Sequence, residues 1–150
     1  MKKRLVIWAM LLLTGLSNSF ANDGGTINDK VTTSFNKEFA DAQDVQWETG
    51  KDFYKATFTL HNQVMFAFYS GQGSLLALSR NISTSQLPIN LYASVKKNYE
   101  NYWVSELFEV AMNNETTYYI TVENGDQKVI LKSNGTMGWE VYKKESKEEV

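Results

Sequence analysis

The sequence contains no cysteine, and this absence limits both its architecture and its chemistry. Without cysteine the chain can form no disulfide bond, so its fold must be held together by its hydrophobic core. A thiol nucleophile, a redox-active thiol pair, a cysteine-ligated metal and a lipid anchor on an N-terminal cysteine are excluded for the same reason. Aromatic residues supply the compensating apolar surface, because Phe, Tyr and Trp make up 13% of the chain.

Histidine is almost absent as well, since His61 is the only one. A histidine–serine relay needs its imidazole in a pocket beside a carboxylate, whereas His61 lies in a predicted hairpin turn. Four carboxylates surround a predicted helix exit without the spacing of a calcium-binding loop, namely Asp41, Asp44, Glu48 and Asp52. We therefore predict a protein that is not an enzyme, with no catalytic residue, no metal site and no cofactor.

Basic residues are too few to favour a polyanionic partner. The first 21 residues hold three of the 15 Lys and Arg side chains, so the remainder carries 12 basic and 17 acidic residues, a formal net charge of −5. Nucleic acid and anionic membranes attract clustered Lys and Arg. We expect neither nucleic acid binding nor membrane insertion once the leader has been removed.

The first 21 residues have the order of a secretory signal peptide. A basic start at Lys2, Lys3 and Arg4 precedes an apolar run over residues 5–13, and Ser19 and Ala21 supply small residues at a cleavage site. The apolar run is too short to span a bilayer. We therefore expect a mature protein that begins near residue 22 and is periplasmic or secreted.

Hydrophobic periodicity divides the remaining chain into helices and strands. A four-residue spacing of apolar positions predicts helices over residues 31–42 and 89–102, and alternation predicts strands after each. Similar helix and turn sequences recur about 60 residues apart. These patterns predict an α+β fold of tandem helix-plus-antiparallel-meander repeats, with the helices packed on one face of an antiparallel sheet.

The predicted organisation has four parts. A signal peptide covers residues 1–21, a flexible arm covers residues 22–29, a domain with possible repeats at 30–80 and 86–142 follows, and a charged tail covers residues 143–150. The tail is expected to be solvated because its charges are dense and mixed in sign.

One pattern of apolar residues runs from the first predicted helix into the following strands. It reads Phe35-x-x-x-Phe39-Ala40-Asp41-Ala42-x-x-Val45-x-Trp47, then Tyr54-x-Ala56-x-Phe58, then an aromatic strand that ends at a glycine turn. This pattern resembles the PepSY-like family, exported proteins of Bacteroidetes-type bacteria that are also described as β-lactamase-inhibitor-like. Many members have proline where this chain has Ala40. The resemblance implies a fold and an export compartment, and related inhibitors dock on a partner through the concave face of their sheet. No inhibitory motif can be transferred to this chain.

Aromatic residues on the predicted strands suggest a function in binding. One sheet face must pack on the helices, while exposed aromatics on the other would mark a recognition surface. The candidate binding residues are Met65, Tyr69, Tyr119 and Trp139. We predict a non-enzymatic module that binds a protein or peptide of the cell envelope through the open face or edge of its sheet. The alternative is a carrier of a small apolar or sugar ligand.

Overall fold

A computed structural model describes residues 26–147. In this range the chain forms two α-helices, one short 3₁₀ helix and eight strands: α1 (Asp29–Glu38), β1 (Gln43–Thr49), β2 (Tyr54–Leu60), β3 (Gln63–Tyr69), β4 (Leu75–Asn81), the 3₁₀ helix η1 (Thr84–Gln86), α2 (Ile89–Asn98), β5 (Trp103–Met112), β6 (Glu115–Glu123), β7 (Gln127–Ser133) and β8 (Glu140–Ser146). The predicted signal peptide lies outside the described residues.

The eight strands form one antiparallel sheet in chain order, with β1 at one edge and β8 at the other. The prediction of tandem helix-plus-meander repeats is wrong, because β4 pairs directly with β5 and joins all the strands into a single open sheet. This pairing aligns residues 78–81 with residues 108–111. The chain is therefore mostly sheet, and its two α-helices contribute only ten residues each.

Both edges of the sheet carry features that protect edge strands from further pairing. Strand β1 has an irregular register between Gln43 and Gln46, where Asp44 adopts a positive φ of 52°. Strand β8 includes Lys143 and Lys144, which the sequence predicts to lie in a charged tail. Bulges and charged side chains disfavour the addition of another strand at an edge.

The two helices form where the sequence supplies an apolar stripe and a start signal. Asn28 caps α1 by accepting a hydrogen bond from the backbone N–H of Lys30, and Val31 and Phe35 are buried one turn apart. Helix α2 follows Pro88, which suits a helix start because the first turn needs no donor from that residue.

Strand register places both helices on the same face of the sheet. Helix α1 packs on Ala67 and Leu78 of β3 and β4. Leu78 pairs with Ala111, and Leu107, four residues away on β5, packs under α2. Residues two or four apart on a strand share a face, so the opposite face carries neither helix.

Two hairpins are closed by residues with positive φ. His61 and Asn62 have φ of 49° and 63°, and Asn113 and Asn114 have φ of 53° and 62°. Two positive φ angles in succession characterise the tight turns whose twist matches that of antiparallel strands. The only histidine of the chain thus serves as a turn residue.

Candidate functional site

The sheet face opposite the two helices described in residues 26–147, here called the open face, holds a continuous apolar cluster. Its buried members come from the β1–β2 loop and from strands β3 to β7, and partly buried side chains from β3, β4, β5 and β8 pack against them. The buried members are Phe53, Phe68, Ala77, Val110, Tyr119 and Ile130, and the partly buried members are Phe66, Leu76, Phe108, Met112 and Tyr142.

Aromatic pairs pack at both ends of the open-face cluster. Phe53 folds from its loop against Phe68, with ring centroids 5.9 Å apart. At the other end, the rings of Tyr119 and Tyr142 meet nearly at right angles with centroids 5.6 Å apart. Edge-to-face contacts of this kind add to the stabilisation gained from burial. The rings of Phe66, Phe108 and Tyr142 are only partly buried and keep some accessible surface on this face.

Two lysines extend over aromatic rings of the open face. The Lys55 ammonium lies 5.4 Å from the Phe66 centroid and 2.6 Å from a carboxylate oxygen of Glu48. The Lys132 ammonium lies 5.8 Å from the Tyr119 centroid. Cations at this distance are attracted by the ring face. The apolar cluster is thus bordered by charges of both signs.

The open face also buries polar side chains. Ser79 lies between Phe66 and Val110 in the strand register, is 2% exposed, and its hydroxyl has no hydrogen-bond partner among the described residues. Thr121 is completely buried and donates to a carboxylate oxygen of Glu106 at 3.4 Å. Buried polar groups of proteins are usually hydrogen-bonded, so Ser79 is an exception among the described side chains of this face.

Of the four predicted binding residues, the structure places only Tyr119 on the open face. Met65 and Tyr69 face α1, and Trp139 packs beneath α2. The Tyr69 hydroxyl donates to a Glu38 carboxylate oxygen at 2.6 Å, and the indole N–H of Trp139 donates to the Leu91 carbonyl at 3.0 Å. These three side chains anchor the helices to the sheet.

Burial changes the acidity of two tyrosines of the sheet, Tyr69 and Tyr119. Desolvation raises the pKa of Tyr119 to about 12, with a smaller contribution from neighbouring Tyr142. Desolvation also raises the pKa of Tyr69 far above its usual value, and the hydrogen bond to Glu38 adds to this effect. Both phenols are therefore neutral at physiological pH.

The residues considered for catalysis are not brought together. His61 is exposed in its turn, and Glu48 pairs with Lys55. Within residues 26–147, no group of three or more His, Asp or Glu side chains is placed to hold a metal ion. Over the same residues, neither helix is long and apolar enough to cross a membrane.

The open-face residues Phe66 and Phe108 were missed at the sequence level. Strand β3 is apolar on both faces, so its alternation could not indicate which side packs on the helix. Phe66 pairs with Ser79 on the neighbouring strand. A polar residue at that position did not help to predict that Phe66 lies on the open face. Strand pairing was needed to assign these side chains to one surface.

Comparison with known proteins gives structural neighbours only. The sequence matches no family model and no curated protein. A DUF2874 family protein from Bacteroides ovatus is similar at a TM-score of 0.70 and 19% identity, with 81% of this chain and 88% of that chain covered. A Bacteroides eggerthii protein named among “putative periplasmic proteins” has a TM-score of 0.70 and 14% identity, with 81% and 90% covered.

A third neighbour connects the fold to an inhibitor-like architecture. A BLIP-like protein from Bacteroides fragilis is similar at a TM-score of 0.69 and 21% identity, with 83% of this chain and 90% of that chain covered. Identities this low show the fold alone. They confirm the inhibitor-like fold implied by the resemblance but do not show membership of the PepSY-like family. The chain therefore has a BLIP-like fold, shared with proteins of Bacteroides.

Proposed function

We propose that this protein is an exported, non-enzymatic binding module that holds a protein or peptide against the open face of its sheet. The observation that carries the proposal is the apolar cluster on the face opposite α1 and α2. Contiguous apolar side chains that remain accessible at a protein surface mark interaction sites. Aromatic side chains such as Phe66 and Phe108 are suitable anchors for a partner.

The size of the open face favours a macromolecular partner. The cluster extends from β3 to β8, five strand spacings or about 24 Å. Strands of seven residues are about 23 Å long. The sheet region beneath the cluster therefore measures about 550 Å² as a flat footprint, across which a protein or peptide could lie. A small ligand would cover only a fraction of it.

The charges around the cluster support the same proposal. Lys55, Lys132 and Glu106 are partly buried on strands β2, β7 and β5, on the same side of the sheet as the cluster. Interfaces commonly combine an apolar centre with a polar rim, and the rim contributes more to specificity and association rate than to affinity. A partner with both acidic and basic groups around an apolar centre would complement this arrangement.

Export and family membership form part of the proposal. The order of basic, apolar and small residues over residues 1–21 supports secretion. The Phe35–Phe39–Trp47 pattern supports placing the chain in the PepSY-like family. The neighbour from Bacteroides eggerthii named as a periplasmic protein is consistent with the proposed compartment.

The test is capture of a partner from cell-envelope and secreted fractions with tagged residues 22–150. We expect one saturable partner that untagged protein displaces. Phe66→Ala and Phe108→Ala should each weaken its binding by about 30-fold if these rings are anchors worth about 2 kcal/mol. Circular dichroism and thermal melting show whether each variant remains folded.

Ile89→Ala is the matched control for an apolar truncation away from the open face. Ile89 begins α2 and is 84% exposed, so its removal should leave both folding and capture unchanged. Folded Phe66→Ala and Phe108→Ala variants that bind as tightly as the wild type would refute the open face as the binding surface.

A further inference from the structure

A cleft on the helix-bearing side of the sheet forms a second candidate site, remote from the open face. It has a volume of about 270 Å³ and lies between η1, helix α2 and the start of β5. Its floor includes Leu87 and Val95, both buried in the core beneath α2. Since these residues belong to the core, the cleft is formed in the folded protein without rearrangement.

Three tyrosines form the walls of this cleft. Tyr92 lies on α2 and is 38% exposed, whereas Tyr99 and Tyr102 follow the helix. The rings of Tyr99 and Tyr102 are nearly perpendicular, at 81°, with centroids 5.3 Å apart. The side-chain amide of Gln127 donates to the Tyr102 hydroxyl, which fixes the position of that ring.

Tyrosine supplies both an apolar ring and a hydroxyl that donates and accepts hydrogen bonds. Burial raises the pKa of Tyr99, and the neighbouring Tyr102 adds to this effect. Its hydroxyl therefore keeps its proton at physiological pH and can donate to a ligand. The cleft thus offers ring surfaces and polar edges together, which suits a ligand with one apolar side and several hydroxyls.

The two charged side chains that line the cleft have opposite signs. Lys96 extends over Tyr92, with its ammonium 5.9 Å from the ring centroid, and Glu100 lies just beyond the end of α2. One cation and one anion give no net preference for a charged ligand. An ammonium and a carboxylate can nevertheless donate to and accept from separate hydroxyls of a neutral molecule.

The volume limits the ligand to a single ring with its substituents. An engineered protein cavity of about 150 Å³ holds benzene, and this cleft is less than twice that size. We propose that the cleft binds a neutral monosaccharide, or one terminal sugar unit of a glycan, with the ring held against the tyrosines. This site is independent of the open face and of the partner proposed for it.

Titration of the ¹⁵N-labelled mature chain with glucose, galactose and N-acetylglucosamine, monitored by NMR, tests this proposal. At least one of these sugars should cause saturable shifts at backbone amides within residues 84–104. Glucuronate should bind no more tightly than glucose, because the lining charges cancel. If none of the three sugars shifts those amides at tens of millimolar, or if glucuronate binds more tightly, the proposal is refuted.

Lys96→Met and Lys97→Met form a matched pair. Both lysines lie in the last turn of α2, but only Lys96 lines the cleft. Lys96→Met should weaken sugar binding by about tenfold, the loss of about one hydrogen bond to a charged group, and Lys97→Met should leave it unchanged. Equal affinities of the two variants would contradict the assigned site. Partner capture by the open face should be the same in both variants, so failure of one proposal is distinguishable from failure of the other.

Discussion

The hydrogen bond between Tyr69 and Glu38 predicts a pH-dependent difference between the wild type and Tyr69→Phe. Tyr69 is completely buried and its hydroxyl donates at 2.6 Å to Glu38 on α1. Removing the hydroxyl should lower the free energy of unfolding at pH 8 by about 1.5 kcal/mol, the low end for a hydrogen bond to a charged group. The cost stays low because Glu38 is exposed and water can replace the lost donor.

At alkaline pH this advantage of the wild type should disappear. In the folded state the pKa of Tyr69 is raised above the value of 10.0 for a free tyrosine. Desolvation is the largest cause, and the hydrogen bond to Glu38 is the second. The folded protein thus keeps a proton that the unfolded chain releases, so stability is retained below pH 10 and lost as the pH rises above it. At pH 11 the loss from this residue reaches about 1.4 kcal/mol.

Urea unfolding of the two proteins at pH 8, 9, 10 and 11 measures this effect. The other tyrosines titrate in both proteins, so the difference between the two curves isolates Tyr69. We expect a difference of about 1.5 kcal/mol at pH 8 that falls nearly to zero at pH 11. Tyr92→Phe, at a partly exposed tyrosine, should differ little from the wild type throughout. A constant difference between wild type and Tyr69→Phe would refute the conclusion that the folded protein holds this phenol neutral.

Three further substitutions test how the helices are held on the sheet, each by chemical denaturation. Phe35→Ala should cost about 3–5 kcal/mol, because the buried ring contacts four other aromatic rings; a cost below 1 kcal/mol would contradict the assigned core. Gly73→Ala should cost more than about 1 kcal/mol, since φ is +83° and the new Cβ would lie 2.7 Å from the Lys30 carbonyl oxygen. Gly71→Ala is its control, with no atom within 4 Å of the new Cβ, and equal costs would rule out this explanation. Trp139→Phe should cost about 1 kcal/mol by removing the indole N–H that donates to the Leu91 carbonyl of α2; an unchanged stability would show that this bond contributes nothing.

Local patterns in the sequence predicted individual elements well. The alternation of Tyr54, Ala56 and Phe58 with polar residues indicated β2, and the structure has a strand over Tyr54–Leu60. The spacing of Val31 and Phe35 indicated α1, although the helix ends at Glu38 rather than at residue 42. These elements were predictable because their side-chain periodicity follows directly from local backbone geometry.

The arrangement of those elements could not be predicted in the same way. The β4–β5 pairing joins residues 78–81 to residues 108–111 across η1 and α2. No local sequence pattern shows whether β4 and β5 pair or whether the strands form two separate meanders. The continuous sheet therefore overturned the predicted architecture of repeated units.

The residues of the candidate site could be predicted only in part, for a similar reason. The sequence indicated an aromatic recognition face, but the side of the sheet on which each ring lies depends on strand register. The structure places Tyr119 on the open face, whereas Tyr69 and Trp139 anchor helices instead. A run such as β3, apolar at adjacent positions, can present either set of side chains to the helices.

The most direct test of the open face as a binding surface is site-specific photocrosslinking in intact cells. A photoreactive phenylalanine analogue is placed at Phe108 on the open face or at Ile89 on the helix-bearing side. The account predicts a discrete adduct of higher mass from position 108 and none from position 89. An adduct from position 89 alone, or no adduct from position 108 in a folded and exported protein, would contradict it.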